Sequence, residues 1–223
     1  MRQFLLTVAE IATSSGQVHV RCSREPAGTT APGQFHLVRV EGSPQSFVRL
    51  PIFPYPGPRD ELEFSIDQAS PLASLEPGML LDLIGPCGRG FVFHPRAAHL
   101  LLIAASVERL LPLMHFALAS RRAVTLLLSS ASPLPEVPSD VEIQRGPLTA
   151  DLATWADLIA LDVPDPAPCA REARAMCPAR PADFVQALIT PPMPCGAGAC
   201  LACWLERDGR RRLACVDGPV FSV

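Results

Sequence analysis

The chain has 223 residues, of which 48% are hydrophobic and 18% are charged, and its formal net charge is −3. This composition can bury a substantial core and excludes an intrinsically disordered chain. The small negative charge gives no electrostatic reason to expect a nucleic-acid partner. No apolar run reaches the roughly 20 residues that a membrane-spanning helix needs, and the amino terminus lacks the pattern of a signal peptide. We therefore expect a cytoplasmic protein with no membrane span.

Residues 1–95 are predicted to form an antiparallel β-barrel. Short apolar runs are separated there by Gly, Pro, Ser or Asp, and they read QFLLTVAEIA, QVHVRCS, QFHLVRVEG, SFVRLPIF, ELEFSID and MLLDLIGP. Runs of this length and spacing are typical of strands in a barrel or a sandwich. A proline–glycine turn precedes the last run, and a second glycine-rich turn follows it.

Residues 96–182 are predicted to form a small α/β lobe. HLLLIAA and AVTLLLSSA are continuous apolar runs, which are typical of strands covered on both faces. Between them, ERLLPLMHFALASRR has apolar residues at helical spacing. The pattern predicts a β–α–β unit in a parallel sheet. The proline-rich segment 162–181 is expected to hold one short helix. The fold class is therefore α+β and multi-domain.

The last predicted unit, residues 183–223, contains four of the eight cysteines. Cys195 is followed after four residues by Cys200, after two more by Cys203, and after eleven more by Cys215. In the cytoplasm structural disulfides are rare, and clustered cysteines more often bind metal or carry out redox chemistry. A C-x4-C-x2-C run with a distant fourth cysteine is the plant-type pattern of a [2Fe–2S] cluster.

Small residues between the cysteines favour the cluster because the backbone must come close to the inorganic sulfides. Gly196 and Gly198 allow unusual dihedral angles and leave amide N–H groups free to face sulfur. A predicted hairpin with an Asp208-Gly209 turn would return Cys215 to the loop. Zinc remains the main alternative, although it usually takes two separated cysteine pairs. Isolated redox thiols or disulfides are the remaining alternative.

The other cysteines and the histidines lack the spacing of ligands or catalytic groups. Cys22 and Cys87 lie on or beside predicted strands and are interpreted as buried structural thiols. Cys169 and Cys177 lie in the proline-rich segment without a ligand pattern. The five histidines are scattered singly, and none is paired with a carboxylate at helical spacing.

The carboxy-terminal sequence resembles that of the electron transfer subunit of two-component dihydroorotate dehydrogenase, a relative of ferredoxin–NADP reductases. The resemblance is carried by CGAGACLAC and CVDGPVF, and more diffusely by VRLPIF and LEPGMLLDLIGPCGRGF. It implies an FAD-binding-type barrel, a reduced NAD-binding-like lobe and a [2Fe–2S] module. It also implies Cys195, Cys200, Cys203 and Cys215 as the cluster ligands.

The same resemblance implies where FAD would contact the barrel. The family's R-P-x-S motif, anchored on Pro51, aligns its arginine with Leu50 and its serine with Phe53, while Arg49 lies one position earlier. The family's Gly-Thr pair aligns with Ala69 and Ser70. The candidate flavin contacts are therefore Arg49, Leu50, Pro51, Ile52, Phe53, Ala69 and Ser70.

NAD is not expected to bind because the family's glycine-rich turn is replaced by IAASVERLLPL, in which Glu108 would repel phosphate. The resemblance implies a non-catalytic electron transfer subunit in a hetero-oligomer. Its partner would be the catalytic flavoprotein subunit of dihydroorotate dehydrogenase, in pyrimidine biosynthesis. Two alternatives remain: an electron-relay subunit of a transhydrogenase- or hydrogenase-type complex, and a structural adaptor with decayed flavin and NAD sites.

Overall fold

The computed structural model describes residues 1–14, 16–24, 30–42, 48–57, 61–128, 136–207 and 209–223. Within these residues the chain forms two large sheets, one two-stranded hairpin and four α-helices. The α+β class predicted from the sequence is confirmed: an antiparallel sheet comes first, an α/β sheet follows, and the cysteine segment lies at the carboxy terminus.

The first sheet is a curled antiparallel half-barrel. Its strands are β1 (Arg2–Ser14), β2 (Gln17–Arg24), β3 (Phe35–Val40), β4 (Leu50–Ile52), β5 (Tyr55–Pro56), β6 (Glu61–Asp67) and β7 (Leu80–Cys87). In space they follow the order β4-β3-β7-β1-β2-β6-β5. Alternation along β1 shows why the strands form: Leu6 and Val8 are buried, whereas Leu5 before them and Thr7 between them face solvent.

A hydrophobic core fills the concave side of the half-barrel. It is built from alternate residues of neighbouring strands and from the short 3₁₀ helix Pro71–Ser74. Its large members include Leu6, Ile52, Leu62, Phe64 and Leu83. Because Ile52 belongs to this core, the strand β4 is held by burial of its own side chains.

The second sheet has six strands, and all but the last are parallel. The strands are β8 (His99–Ala104), β9 (Ala123–Leu128), β10 (Glu142–Arg145), β11 (Leu158–Asp162), β12 (Val185–Leu188) and β15 (Val220–Ser222). Their order is β10-β9-β8-β11-β12-β15, with β15 antiparallel to β12. The predicted β–α–β unit is present, because β8 pairs in parallel with β9 across α1 (Leu111–Ala119).

Helices cover both faces of the second sheet. On one face, Leu100 and Leu102 of β8 pack in a cluster with α1. On the other face, Leu101 packs in a cluster with α2 (Ala150–Trp155) and α3 (Pro166–Met176). Burial on both faces explains the continuous apolar sequence of β8 and β9. The helix α3 is the one expected inside the proline-rich segment.

The cysteine segment lies between the strands β12 and β15 of the second sheet. It contains the hairpin of β13 (Trp204–Arg207) and β14 (Arg210–Leu213), then α4 (Ala214–Asp217). The hairpin was expected, but residue 208 of its predicted turn lies outside the described residues. The strands β12 and β15 lie within the predicted unit 183–223, yet they pair in the α/β sheet. The domain boundaries predicted after residues 95 and 182 stay predictions.

One hydrophobic cluster joins the two sheets and the cysteine segment. It combines Phe35 and Leu37 of the half-barrel, Leu100 of the α/β sheet, and the buried cysteines Cys203 and Cys215. Burial in this shared core fixes the cysteine segment against both sheets. Across the described part of the chain, none of the helices has the length and apolar character needed to cross a bilayer.

Candidate metal centre

The four cysteines of the carboxy-terminal pattern meet as two pairs of thiols. Cys195 and Cys200 lie with their Sγ atoms 3.3 Å apart, and the Sγ atoms of Cys203 and Cys215 are 3.2 Å apart. The first pair is supplied by the loop alone. The second pair joins the loop to α4, which follows the hairpin. The structure therefore brings together the distant fourth cysteine and the three clustered ones.

The loop that carries these thiols depends on left-handed backbone. Gly196 and Gly198 have φ angles of +64° and +74°, and Leu201 has +58°. A Cβ on Gly196 would lie 2.8 Å from Cδ1 of Leu37, because the loop packs directly on β3. Glycine at this position therefore allows both the turn and the close approach.

Amide groups of the loop point at sulfur. The N–H of Gly198 donates to the Cys215 thiol over 3.2 Å. Burial tends to raise the pKa of Cys195, but the backbone N–H groups of Cys200, Ala197 and Ala199 outweigh it and lower that pKa to about 6. The loop thus stabilises negative charge on sulfur, which metal ligation requires.

The two pairs differ in exposure. Cys203 and Cys215 are buried, whereas Cys195 is half-buried and Cys200 is exposed. Burial, followed by the contact with Cys203, raises the pKa of Cys215 to about 12. A centre held by all four thiols would therefore have an inner edge in the shared core and an outer edge at the surface.

The arrangement of the thiols in two pairs fits a centre with two metal atoms. A structural zinc ion takes four ligands at once in a tetrahedron, whereas a [2Fe–2S] cluster is held by four cysteine thiolates shared between two irons. Two separate thiol pairs, with amides directed at their sulfurs, suit the second case.

Residues 191–223 match the family model of the iron-sulfur cluster binding domain of dihydroorotate dehydrogenase B. The chain is similar to the electron transfer subunit of dihydroorotate dehydrogenase B. This match supports an iron–sulfur cluster in the cysteine segment, and with it a role in electron transfer. None of the curated proteins matches the chain at a significant level.

Solved structures share most of the fold at low sequence identity. The NADH-dependent reduced ferredoxin-NADP oxidoreductase, studied for flavin-based electron bifurcation, has a TM-score of 0.72 and 16% identity, over 98% of this chain and 88% of that chain. The ferredoxin reductase in carbazole 1,9a-dioxygenase has a TM-score of 0.61 and 19% identity, over 82% and 66%. The flavohemoglobin from Malassezia yamatoensis, with bound FAD and heme, has 0.59 and 14%, over 83% and 59%.

The candidate flavin contacts on and beside β4 have different partners within the fold. The Arg49 guanidinium donates to the carbonyl and the carboxylate of Asp82 on β7, with Nη1 to the carbonyl oxygen at 2.6 Å. Ile52 points into the barrel core, whereas Phe53 belongs to the cluster that joins the sheets. Leu50 and Pro51 pair with Val38 and Leu37 of β3.

The Ala69–Ser70 pair is engaged within its own turn. The Ala69 N–H donates to the carboxylate of Asp67 over 2.7 Å. The Ser70 hydroxyl accepts from the N–H of Leu72 and caps the 3₁₀ helix. Both candidate phosphate contacts therefore already have partners in the chain.

The carboxyl edge of the parallel sheet holds an ion pair in which only the carboxylate is buried. Arg109 follows β8 and donates to Asp162 at the end of β11, with Nη2–Oδ1 and Nε–Oδ2 distances of 2.6 and 2.8 Å. Arg109 also donates to Thr190 over 2.8 Å. Burial raises the pKa of Asp162, and Arg109 counteracts that rise. Glu108 accepts a bond from Gln17 of the half-barrel.

A cleft of about 420 Å³ lies between the half-barrel and α1. The ring of Tyr55 stacks on that of His115 there, with centroids 4.5 Å apart and planes 9° apart. A chain of hydrogen bonds then runs from Tyr55 through Ser65, His19 and Ser14 to Glu136. Sequence reasoning missed this network because its members come from different elements and share no spacing along the chain.

Two other cysteines are buried near or inside the half-barrel, as expected. Burial raises the pKa of Cys22 to about 12 and that of Cys87 to about 11. Cys87 lies beneath the cysteine loop, where its Sγ would be 3.1 Å from a Cβ on Gly196. Cys169 and Cys177 are half-buried and belong to the helical face of the second sheet.

Proposed function

We propose that this chain is a non-catalytic electron transfer subunit that holds a [2Fe–2S] cluster at Cys195, Cys200, Cys203 and Cys215. The observation that carries the proposal is the pairing of these thiols within the segment that matches the dihydroorotate dehydrogenase B iron–sulfur domain. When bound, such a cluster exchanges one electron at a time.

The surrounding residues have separable roles in this proposal. Gly196 and Gly198 let the backbone curl, and loop amides favour the charged form of the ligands. The shared hydrophobic core keeps water from the inner pair, Cys203 and Cys215. The exposed Cys200 leaves the outer edge open to a redox partner.

The docking face proposed for that partner surrounds the outer edge. Leu201, Trp204 and Val216 are exposed apolar side chains close in sequence to the ligands. The guanidinium of Arg211 lies 5.4 Å above the Trp204 ring. Exposed aromatic and arginine side chains are typical of the centres of protein interfaces. We call Leu201, Trp204, Arg211 and Val216 the cluster face.

The partner in this proposal is a flavin-containing catalytic subunit of dihydroorotate dehydrogenase type, in pyrimidine biosynthesis. A subunit of this kind works in a hetero-oligomer, because its electrons have to reach a catalytic site on another chain. The match over residues 191–223 supports this partner.

A second candidate is an electron-relay subunit of a transhydrogenase-type complex. It is favoured by the likeness to the NADH-dependent reduced ferredoxin-NADP oxidoreductase, which covers nearly the whole of both chains. The two candidates differ in the partner and in its substrate. They agree on the cluster and on the cluster face.

Anaerobic purification with iron and acid-labile sulfide analysis, visible absorption and electron paramagnetic resonance tests the proposal. We expect about two irons and two sulfides per chain and a reduced-state signal of a [2Fe–2S] cluster. Zinc in place of iron would overturn it. Affinity capture of the tagged full chain then separates the candidates: a dihydroorotate-oxidising partner supports the first, a pyridine-nucleotide-oxidising partner the second, and no redox partner a structural adaptor.

A further inference from the structure

We infer that the chain's own side chains occupy both dinucleotide sites expected from its fold, so that the cluster is its only electron carrier. It follows that electrons arrive singly from a one-electron protein donor, not as hydride from a nicotinamide. This inference rests on the proposed cluster, but it concerns the half-barrel and the α/β sheet.

The arginine available for a flavin phosphate is already bound to a carboxylate of the chain. Arg49 is largely buried and binds Asp82, a carboxylate that is 1% exposed. Arg39 and Gln3 bind the same carboxylate, at 2.9 and 3.0 Å. Removing Arg49 from this group to meet a phosphate would break a buried ion pair, which is costly. Asp82 therefore takes the place of the phosphate.

In the turn after β6, the groups expected to meet a diphosphate are also bonded within the chain. The carboxylate of Asp67 accepts the Ala69 N–H, and the Ser70 hydroxyl is used as a helix cap. A diphosphate approaching Ala69 would meet the negative charge of Asp67 at hydrogen-bond distance from that amide. These contacts offer repulsion where a dinucleotide needs donors.

The cleft between the half-barrel and α1 is unsuitable for an anionic cofactor. Its described lining includes the carboxylates of Glu10, Glu63 and Glu136. Arg21, the one arginine among the described lining residues, is paired with Glu63 over 2.8 Å and with Glu10 over 2.5 Å. The lining therefore carries an excess of negative charge.

The aromatic ring face that a cofactor could stack on in the same cleft is already covered by another side chain. A planar cofactor would need an aromatic face, but the face of Tyr55 that looks towards α1 is covered by His115. The Tyr55 hydroxyl is bonded to Ser65, the first link of the chain that ends at Glu136. Insertion of a ring between Tyr55 and His115 would separate the two sheets.

The carboxyl edge of the α/β sheet, where a nicotinamide dinucleotide would be expected, also has its arginine bound to a carboxylate of the chain. Arg109 is the basic side chain at the strand ends, and it is held by the buried Asp162 and by Thr190. The adjacent cavity of about 210 Å³ has mainly apolar described lining, with one carboxylate, Glu172, and no basic side chain. A dinucleotide phosphate would find no free positive charge there.

Occupied dinucleotide sites restrict how electrons can reach the cluster. A hydride carries two electrons, and a [2Fe–2S] cluster exchanges one, so a chain without flavin cannot accept hydride. Each oxidation of a one-electron donor protein must therefore be matched by one reduction of the acceptor subunit. The donor class implied is a ferredoxin-like or other one-electron protein carrier.

The test measures flavin and cluster in the same anaerobic preparation of the full chain, expressed with added riboflavin. Acid-released FAD and FMN are quantified by chromatography beside iron and sulfide, with a flavin-containing ferredoxin reductase processed in parallel. We expect iron and sulfide with no stoichiometric flavin. Titration with FAD should give no saturable change in flavin fluorescence up to about 100 μM, which excludes a Kd tighter than roughly 10 μM.

A second arm adds NADH or NADPH, and then a reduced ferredoxin, to the oxidised chain. We expect the cluster absorption to be unchanged by either nucleotide and bleached by reduced ferredoxin. Stoichiometric flavin, saturable FAD binding or bleaching by NAD(P)H would each overturn the inference while leaving the proposed cluster intact. A chain without iron and sulfide, with or without flavin, would overturn the proposed function, and the inference with it.

Discussion

The cysteine loop and the cleft between the two sheets differ in where their hydrogen-bond donors point. In the loop, amides of Gly198 and its neighbours face sulfur atoms. Around the cleft and at the strand ends, the guanidinium groups of Arg21, Arg49 and Arg109 face carboxylates of the chain. The loop directs backbone amides at the sulfurs that would hold a cofactor, whereas the arginine side chains of the other region are used in tertiary contacts.

The two sheets are held by cores of apolar side chains, so the fold does not require free dinucleotide sites. The edges of the sheets depend on a few polar groups, and a single carboxylate such as Asp82 or Asp162 is enough to bind an arginine side chain. Fold similarity alone is therefore a weak guide to cofactors.

The largest expected effect is loss of the cluster when the inner thiol pair is broken. Cys215→Ser should reduce iron and sulfide to background, because the buried position offers no substitute ligand from water. Cys200→Ser at the exposed edge should retain more iron. Cys177→Ser, remote in sequence, is the control and should leave both contents unchanged. Equal iron in Cys215→Ser and Cys177→Ser would contradict the role of Cys215 as a cluster ligand.

A second test addresses the loop backbone. Gly196→Ala should lower the free energy of unfolding by about 3 kcal/mol, from left-handed strain plus overpacking against Leu37. Gly209→Ala is a matched control, because Gly209 has a φ of +68° but nothing within 4 Å of an added Cβ. It should lose only about 1 kcal/mol. Urea unfolding of both variants checks this, and similar losses would contradict the close packing of the loop.

The stability of the half-barrel should fall at acidic pH because of the buried His36. Burial lowers the pKa of His36 from 6.5 to about 4, so its contribution to stability is present above pH 6.5 and is lost as the pH falls towards 4. Between pH 7 and 5 this costs about 2 kcal/mol. His36→Gln should remove that part of the pH dependence, as measured by urea unfolding at both values. Parallel pH slopes for the two proteins would refute it.

A substitution of Arg49 tests whether this arginine stabilises the fold or contacts a cofactor. Arg49→Met should destabilise the fold by about 2 kcal/mol, because it leaves the buried Asp82 with fewer partners. The visible spectrum and the cluster potential should not change. Arg39→Met, whose side chain is more exposed, should cost less. A spectral change in Arg49→Met alone would place this arginine beside a cofactor.

The smallest expected effect concerns the cluster face. Trp204→Ala should weaken binding to the co-purified catalytic subunit by about tenfold, which is a typical loss for one aromatic side chain in an interface. Iron content should stay constant. Val92→Ser changes an equally exposed apolar side chain outside the cluster face and should bind normally. Surface plasmon resonance measures both, and equal affinities would move the docking site elsewhere.

Much of the architecture could be predicted because its signals are local. The alternation in β1 and the continuous apolar runs of β8 and β9 define the two kinds of strand. The spacing of the four cysteines indicated a two-iron centre before any fold was known. The two thiol pairs agree with that spacing, and the role of the four cysteines as ligands stays a prediction.

The engagement of the polar groups could not be predicted in the same way. Arg49 was a candidate flavin contact although it lies one position before the residue aligned with the motif's arginine. Its partner Asp82 lies 33 residues away and is brought to it through the strands β3 and β7. Tyr55 and His115 meet only because two separate sheets pack together.

By itself the sequence determined the strand and helix pattern and the composition of the cysteine loop, because these depend on neighbouring residues and on spacing along the chain. Only the tertiary structure decided which arginines are neutralised and which thiols are buried. Those outcomes depend on strand register and on packing between the sheets, which join residues far apart in sequence. The same physical reason places the amides of the cysteine loop against sulfur and the side chains of the cleft against each other.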